Sequence, residues 1–211
     1  MNYTKYIIWI LVIGLLVSLT VNFFQLYKRS ENNRVVRVVD GDSFDLKDGR
    51  RIRFLSLDAP EKNRCFYSEA RERLTSLILN KKVRLQDIIT DDYGRLLSNV
   101  FIGNIFVNKI ILEEGLARFY YVKNPYYEEL KTISQKAKDN KIGIYSSLCR
   151  TISLDLNCQI KANNNHGKKY FFTPKCRNYD QVIVDESFGD KWLCNEEEAI
   201  KEGFIKAKGC Y

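Results

Sequence analysis

Three carboxylates and two arginines, gathered in the stretch Val38–Glu61 (VVDGDSFDLKDGRRIRFLSLDAPE) and the short piece Asp91–Arg95 (DDYGR), are the inventory for attacking a phosphodiester. Asp42 and Asp58 are hard oxygen donors suited to Ca²⁺ or Mg²⁺. Glu61 can take a proton from water, and the guanidinium forks of Arg53 and Arg95 match phosphate oxygens. No one of these residues is informative alone. With 28% of the chain charged, a solvated hairpin with surface ion pairs would bring the same residue types together, so order and spacing must decide.

The order is Asp40-Gly41-Asp42-Ser43, then Arg53 through Asp58-Ala59-Pro60-Glu61, then Asp91-Asp92-Tyr93-Gly94-Arg95. Phe106-Val107-Asn108 and Glu114-Gly115-Leu116-Ala117 follow. In these ordered motifs the chain resembles the staphylococcal (micrococcal) nuclease family over roughly Arg34 to Ser147. The resemblance implies calcium ligands at Asp42, Asp58 and the carbonyl of Ala59, a general base at Glu61, and two phosphate-holding arginines at Arg53 and Arg95. It implies a Ca²⁺-dependent, sequence-nonspecific endonuclease or exonuclease that cleaves DNA and RNA and leaves 3′-phosphate ends. A membrane-anchored module that binds nucleic acid without cutting it is the alternative, and the complete Arg53, Glu61, Arg95 set speaks against it.

Three positions depart from the family pattern. Ala59 stands where threonine is usual, but a backbone carbonyl donates equally well from either. Asp92 takes a position that is often lysine, which weakens the hold on a terminal phosphate. Tyr121 matches a base-stacking tyrosine, whereas Lys123 replaces a second one, leaving these two as the candidate nucleic-acid contacts with base preference open.

Composition agrees with an anionic partner. The formal charge is +8 and the isoelectric point about 9.1. From Arg34 to Arg150 there are 22 Lys and Arg against 16 Asp and Glu, while Thr151–Tyr211 is balanced at 9 against 9. The basic surplus thus sits on the part with the phosphate-handling residues. No protein partner is indicated.

The elements that must position these residues can be read in order. Tyr6–Leu26 is almost wholly apolar and long enough to span a bilayer, so residues 1–29 are expected to be a signal anchor that ties the chain to a membrane, with cleavage and secretion as the alternative. Ser30–Asn33 reads as a polar linker. Strands are expected at Val35–Val39, Ser43–Lys47, Arg51–Leu57, Lys82–Ile88 and Arg95–Ile102, with a hairpin turn at Asp48-Gly49. Pro60 stiffens the corner from Asp58 to Glu61. Helices are expected from Ser68 to Asn80, from Lys109 to Gly115 with Asn108 as its cap, and from Tyr126 to Asn140. Five strands and three helices over residues 34–150 make a mainly β fold, a five-stranded OB-fold barrel plus helices.

Residues 151–211 form a small third unit of hairpin and helix. It resembles a cysteine-containing module found after nuclease domains of this family, with Phe172 in place of a histidine and Leu193 in place of a phenylalanine. Its strands are expected around Ile160, Tyr170–Phe172 and Trp192–Cys194, with Asn195 capping a short helix. His166 sits in the Asn/Gly turn and reads as an exposed loop histidine. The six cysteines, an even number without a Cys-x-x-Cys pair, favour disulfides. The family resemblance implies Cys65–Cys149, and the tail pattern implies Cys158–Cys194, leaving Cys176–Cys210. A zinc site built from the four tail cysteines is the alternative. Paired cysteines and the apolar segment together place the catalytic part outside the cytoplasm.

Overall fold

Short alternating segments separated by glycine and asparagine turns give a mixed β/α molecule, with five α-helices and several sheets among the described residues. The structure, a computed structural model, describes residues 3–165 and 167–210, with the side chains at 4, 5, 8, 24, 26–31 and 165 outside that description. His166 therefore lies outside the described residues. Helix α1 (Tyr3–Asn32) is followed by strands β1 (Val35–Val38), β2 (Ser43–Leu46), β3 (Arg51–Phe54) and β4 (Leu57–Asp58), then α2 (Tyr67–Ile78). Strands β5 (Arg84–Thr90), β6 (Leu96–Ile102) and β7 (Ile105–Phe106) lead into α3 (Val107–Glu113), β8 (Arg118–Phe119) and α4 (Tyr127–Asp139). The tail contributes β9 (Arg150–Thr151), β10 (Ile160–Asn165), β11 (Lys168–Phe172), β12 (Val184–Asp185), β13 (Lys191–Leu193), α5 (Glu196–Lys201) and β14 (Ile205–Lys206).

The main sheet runs β1-β2-β3-β6-β5 with β7 added to β6, and β3 pairs β6 in parallel. Where a five-stranded OB-fold barrel is expected, the strands form an open sheet. Its two edges meet at a single bridge between Arg34 and Lys82, supported by Val35 N–H to Lys81 O at 2.9 Å and Val83 N–H to Asn33 O at 3.0 Å. The apolar faces of α2, α3 and α4 cover this sheet through Ala70, Leu74, Ile78, Ile111, Leu112 and Leu130, all buried with Phe44, Ile52 and Phe54. The tail has a second small core of Ile160, Ala162, Phe171, Leu193, Ala199 and Phe204. Asn195 caps α5 as expected, accepting the Glu198 N–H at 2.8 Å.

The membrane span expected at Tyr6–Leu26 finds no support among the described residues. Among the described residues, no helix is long and apolar enough to cross a membrane. The run lies within α1, which continues through the expected linker as far as Asn32. Along residues 9–23 its side chains are exposed. That stretch also carries Ser18, Thr20 and Asn22, with Thr20 and Asn22 hydrogen-bonded back to their own helix at 2.8 Å.

Asn108 is not a cap. It stands inside α3, fully buried, where its Oδ1 accepts the Val100 N–H at 2.9 Å and its Nδ2 donates to Leu55 O at 3.1 Å and to Asn99 Oδ1 at 3.3 Å. One side chain thus ties α3 to β6 and to the chain leaving β3. Asn108→Leu keeps the volume but orphans a buried N–H and a buried carbonyl, each costing about 1–3 kcal/mol. Urea unfolding should show a loss of that order, and an unchanged midpoint would show that the amide is dispensable.

Candidate active site

The carboxylates converge because β3 breaks where the sequence reads a continuous strand. In an unbroken strand, Arg53 and Asp58 are five residues apart and point to opposite faces. Ser56 instead takes a left-handed backbone at φ 63°, and Leu57–Asp58 leave the main sheet to pair with β8 in the register Leu57↔Phe119 and Asp58↔Arg118. The kink returns Asp58 toward Arg53, whose Nη2 lies 2.6 Å from Asp58 Oδ1 and 2.8 Å from Asp42 Oδ2.

Asp42 is held from every side. Its Oδ2 also accepts the Ala59 N–H at 2.9 Å, and its Oδ1 accepts the Ser43 hydroxyl at 2.7 Å. Gly41 makes this approach possible, since a Cβ there would sit 2.7 Å from the Cβ of both Ala59 and Ala70. The Asp-Gly-Asp turn, the Asp-Ala-Pro-Glu corner and α2 are therefore in direct contact. Burial raises the Asp42 carboxyl to about 7, with Asp40 adding to the rise while Arg53, Ala59 and Ser43 oppose it. Burial works against the charge on Arg53, but Asp42 and Asp58 outweigh it and hold the guanidinium above its ordinary value.

Arg95 arrives from a different turn. Asp91 Oδ1 accepts the N–H groups of Tyr93 and Arg95 at 3.0 and 2.9 Å, and its Oδ2 takes Arg95 Nε at 2.7 Å. Gly94 supplies the positive φ of this turn. The first residue of the Asp-Asp-Tyr-Gly-Arg piece thus both closes the loop and aims its last side chain. A cleft of about 440 Å³ results, lined by Arg53, Asp58, Asp91, Tyr93, Arg95 and Tyr120 among others.

Of the expected site residues, Arg53, Asp58 and Arg95 share this cleft, while Asp42 and the Ala59 backbone support it from behind. Glu61 is exposed beyond Pro60 and does not line the cleft; its carbonyl accepts the Arg64 N–H at 3.0 Å. Tyr121 is 67% exposed with its ring edge-on to Tyr127, and Lys123 is exposed. Neither lines the cleft, whereas Tyr120 and Val122, one residue out of phase with them, do. Sequence reading missed Tyr120 for that reason. Burial raises its hydroxyl above the ordinary tyrosine value, with Arg53 opposing the rise. Ile89 also lines the cleft, carried there by a bulge between Gln86 and Ile89 around Asp87 at φ 52°.

A hard cation suits the kind of donor present: the buried carboxylate of Asp42 and the carboxylate of Asp58 meet at one guanidinium nitrogen, with Asp40 adding negative charge nearby. It would not enter a ready-made cage, because among the described residues no group of three or more His, Cys, Asp and Glu is placed to hold an ion. The tail cysteines are paired instead: Cys158–Cys194 and Cys176–Cys210 are disulfides, as is Cys65–Cys149. This matches the expected pairing and corrects the zinc alternative.

Comparison with known proteins places this geometry among relatives. Residues 51–147 match the family described as Staphylococcal nuclease homologue. A protein named Micrococcal nuclease from Shigella flexneri is 31% identical over 125 residues, which cover 53% of this chain and 72% of its own. An uncharacterized endonuclease of Escherichia coli O157:H7 is 33% identical over 121 residues, 54% of this chain and 77% of that one. The Thermonuclease of Staphylococcus hyicus is 32% identical over 127 residues, 54% and 75% respectively.

The raised Asp42 group has a consequence for stability. Because its folded value of about 7 exceeds the ordinary 3.8, the native state keeps a proton that the unfolded chain has already released between those two values. Stability in chelator-treated protein should therefore be fullest below the lower value and fall as pH rises through the upper one. Urea midpoints at about pH 5 and about pH 8 should differ in that direction in the wild type and much less in Asp42→Asn. Equal slopes in the two proteins would remove Asp42 as the source.

Proposed function

Because the chain belongs to the staphylococcal nuclease family and is a nuclease, a hydrolase of phosphodiester bonds, we propose that it is a calcium-dependent, sequence-nonspecific enzyme. It cleaves DNA and RNA to 3′-phosphate ends and works outside the cytoplasm. The observation that carries this reading is the convergence of Arg53, Asp58 and Arg95 on one cleft in front of the buried Asp42.

Asp42, Asp58 and the carbonyl of Ala59 would hold Ca²⁺, with water and phosphate oxygens filling the remainder of its roughly six to eight positions. The ion supplies Lewis-acid polarisation of a phosphoryl oxygen. Arg53 meets both carboxylates through Nη2, and the further donors of its planar fork match the oxygens of a phosphate. Arg95, aimed by Asp91, grips the same group from the other wall and offsets the charge that develops in the pentacoordinate state. Tyr120 keeps its proton at neutral pH and donates to a phosphate oxygen. Glu61, exposed past the stiff Pro60 corner, takes the proton from the attacking water, and the 5′-oxygen departs. Tyr121 stacks on a base and Lys123 meets the backbone, and such contacts carry little sequence information.

Glu61→Gln should lower turnover by about 10²–10⁴-fold and Arg53→Ala by about 10²–10³-fold, both retaining nucleic-acid binding. Asp42→Asn should chiefly raise the calcium concentration needed. Digestion of single- and double-stranded DNA and RNA with calcium or excess EGTA reads all three. Full activity in Glu61→Gln, or cleavage undiminished by EGTA, would sink the assignment.

Placement outside the cytoplasm rests on three disulfides that use all six cysteines, since such bonds persist in oxidising compartments. A reporter fused after the last residue of the full chain should be active only on the exported side. Activity in the cytoplasm would refute this placement.

A further inference from the structure

The family match stops at Ser147, yet residues beyond it reach the back of the cleft through β8. On one side β8 pairs with β4, placing Arg118 opposite Asp58, and Tyr120, which follows β8, donates its N–H to Ser56 O at 3.2 Å. Asp58 and Tyr120 both line the cleft. On the other side Arg118 is embedded in the tail. Its Nη2 meets Asp185 Oδ1 at 3.0 Å and the Ser187 hydroxyl, its Nη1 reaches Ser187 O at 3.4 Å, and its guanidinium lies 3.6 Å from the centre of the Phe188 ring.

This contact is built rather than incidental. The side chains of Arg118 and Asp185 are only 11% and 10% exposed. Asp185 also takes Arg150 at 3.4 Å, and the turn is fixed by Ser187 N–H to Asp185 Oδ1 at 3.1 Å and Phe188 N–H to Asp185 O at 2.9 Å. Simultaneous stacking and forked hydrogen bonding is a geometry arginine makes and lysine does not. A buried pair of this kind tolerates little displacement, because losing one partner leaves an uncompensated charge.

We infer that the Asp185–Phe188 turn of the tail is a positioning element of the nuclease site: it locks Arg118, hence β8, hence the Asp58 corner and Tyr120. The inference rests on the phosphodiesterase reading and assigns the tail a part in that same site. Its residues touch no substrate; they act by holding the strand to which Asp58 is paired.

The test uses the full-length chain with Asp185→Ala, Asp185→Glu and Phe188→Leu. Steady-state kinetics on a defined oligonucleotide are read beside amide hydrogen exchange at Leu57–Ala59 and Phe119–Tyr120. Asp185→Ala and Phe188→Leu should lower kcat about 10- to 100-fold, as small misplacements of catalytic groups do. KM should stay within a few-fold, exchange at the Asp58 corner should quicken, and Asp185→Glu should recover part of kcat. Wild-type kcat, with faster exchange confined to the tail, would overturn the inference and leave the turn a purely structural contact. If Asp185→Ala fails to fold, Phe188→Leu, which keeps the ion pair, carries the test alone. If the wild type cleaves no nucleic acid, the functional reading falls, and exchange at the Asp58 corner still decides whether the turn positions it.

Discussion

One guanidinium nitrogen, Arg53 Nη2, stands between Asp42 at 2.8 Å and Asp58 at 2.6 Å, and much of the local architecture exists to let that happen. Two carboxylates drawn together from a turn and a strand repel each other, so they need a fixed cation between them and a scaffold that cannot relax. The scaffold has three parts. Gly41 lets the first turn press against Ala59 and Ala70, Ser56 bends the chain by adopting φ 63°, and β8 captures the bent segment by pairing with Leu57 and Asp58. The first two are sterically demanding or locally unfavourable. Gly41 and Ser56 both fall within the single stretch from Asp40 to Asp58, which marks where stability is given up for a function.

The electrostatic state of the cluster follows from the same packing. Arg53 lowers the Asp42 carboxyl, as do the Ala59 N–H and the Ser43 hydroxyl, yet burial outweighs all three. A single arginine does not fully compensate the group of Asp40, Asp42 and Asp58. A dication held by these carboxylates would favour their charged forms and leave Arg53 able to turn toward an anionic substrate. Perturbed groups of this kind gather where chemistry is done.

Residue types and their spacing made part of the candidate site legible, because Asp42, Arg53, Asp58 and Arg95 occupy short, ordered motifs and the structure brings them together, while Glu61, Tyr121 and Lys123 stand outside the cleft. The elements around them were read well where periodicity is strong, as in α2 and α4, both found within about one or two residues of their expected bounds at both ends. What failed was what depends on single backbone torsions or on tertiary partners. Nothing in Phe54-Leu55-Ser56-Leu57 announces a left-handed serine, so β3 and β4 read as one strand. Asp87 hides a bulge for the same reason, and the bulge shifts which residues of β5 face the cleft. Tyr120 and Tyr121 are indistinguishable in type, and only the pairing of β8 decides which faces inward. Asn108 looks like a cap because asparagine before a helical run usually is one. Only the assembled fold shows that its amide is spent on Val100 and Leu55.

Two independent devices secure the same corner from behind. The Cys65–Cys149 bond closes a loop with a separation of 84 residues, and a cross-link of that span removes about 4–5 kcal/mol of denatured-state entropy in the chain-entropy account. It joins the segment just after the Asp58–Glu61 corner to the segment just before β9. Strand β9 then pairs with β12, and the turn after β12 grips Arg118, the partner of Asp58. The disulfide acts mainly on the unfolded chain, whereas the Arg118 contact acts on the geometry of the folded one. A covalent staple limits how far the corner can stray, and the buried ion pair determines where it rests. A site that forces like charges together needs both, because restricting the unfolded ensemble does nothing by itself to hold two carboxylates within reach of one nitrogen.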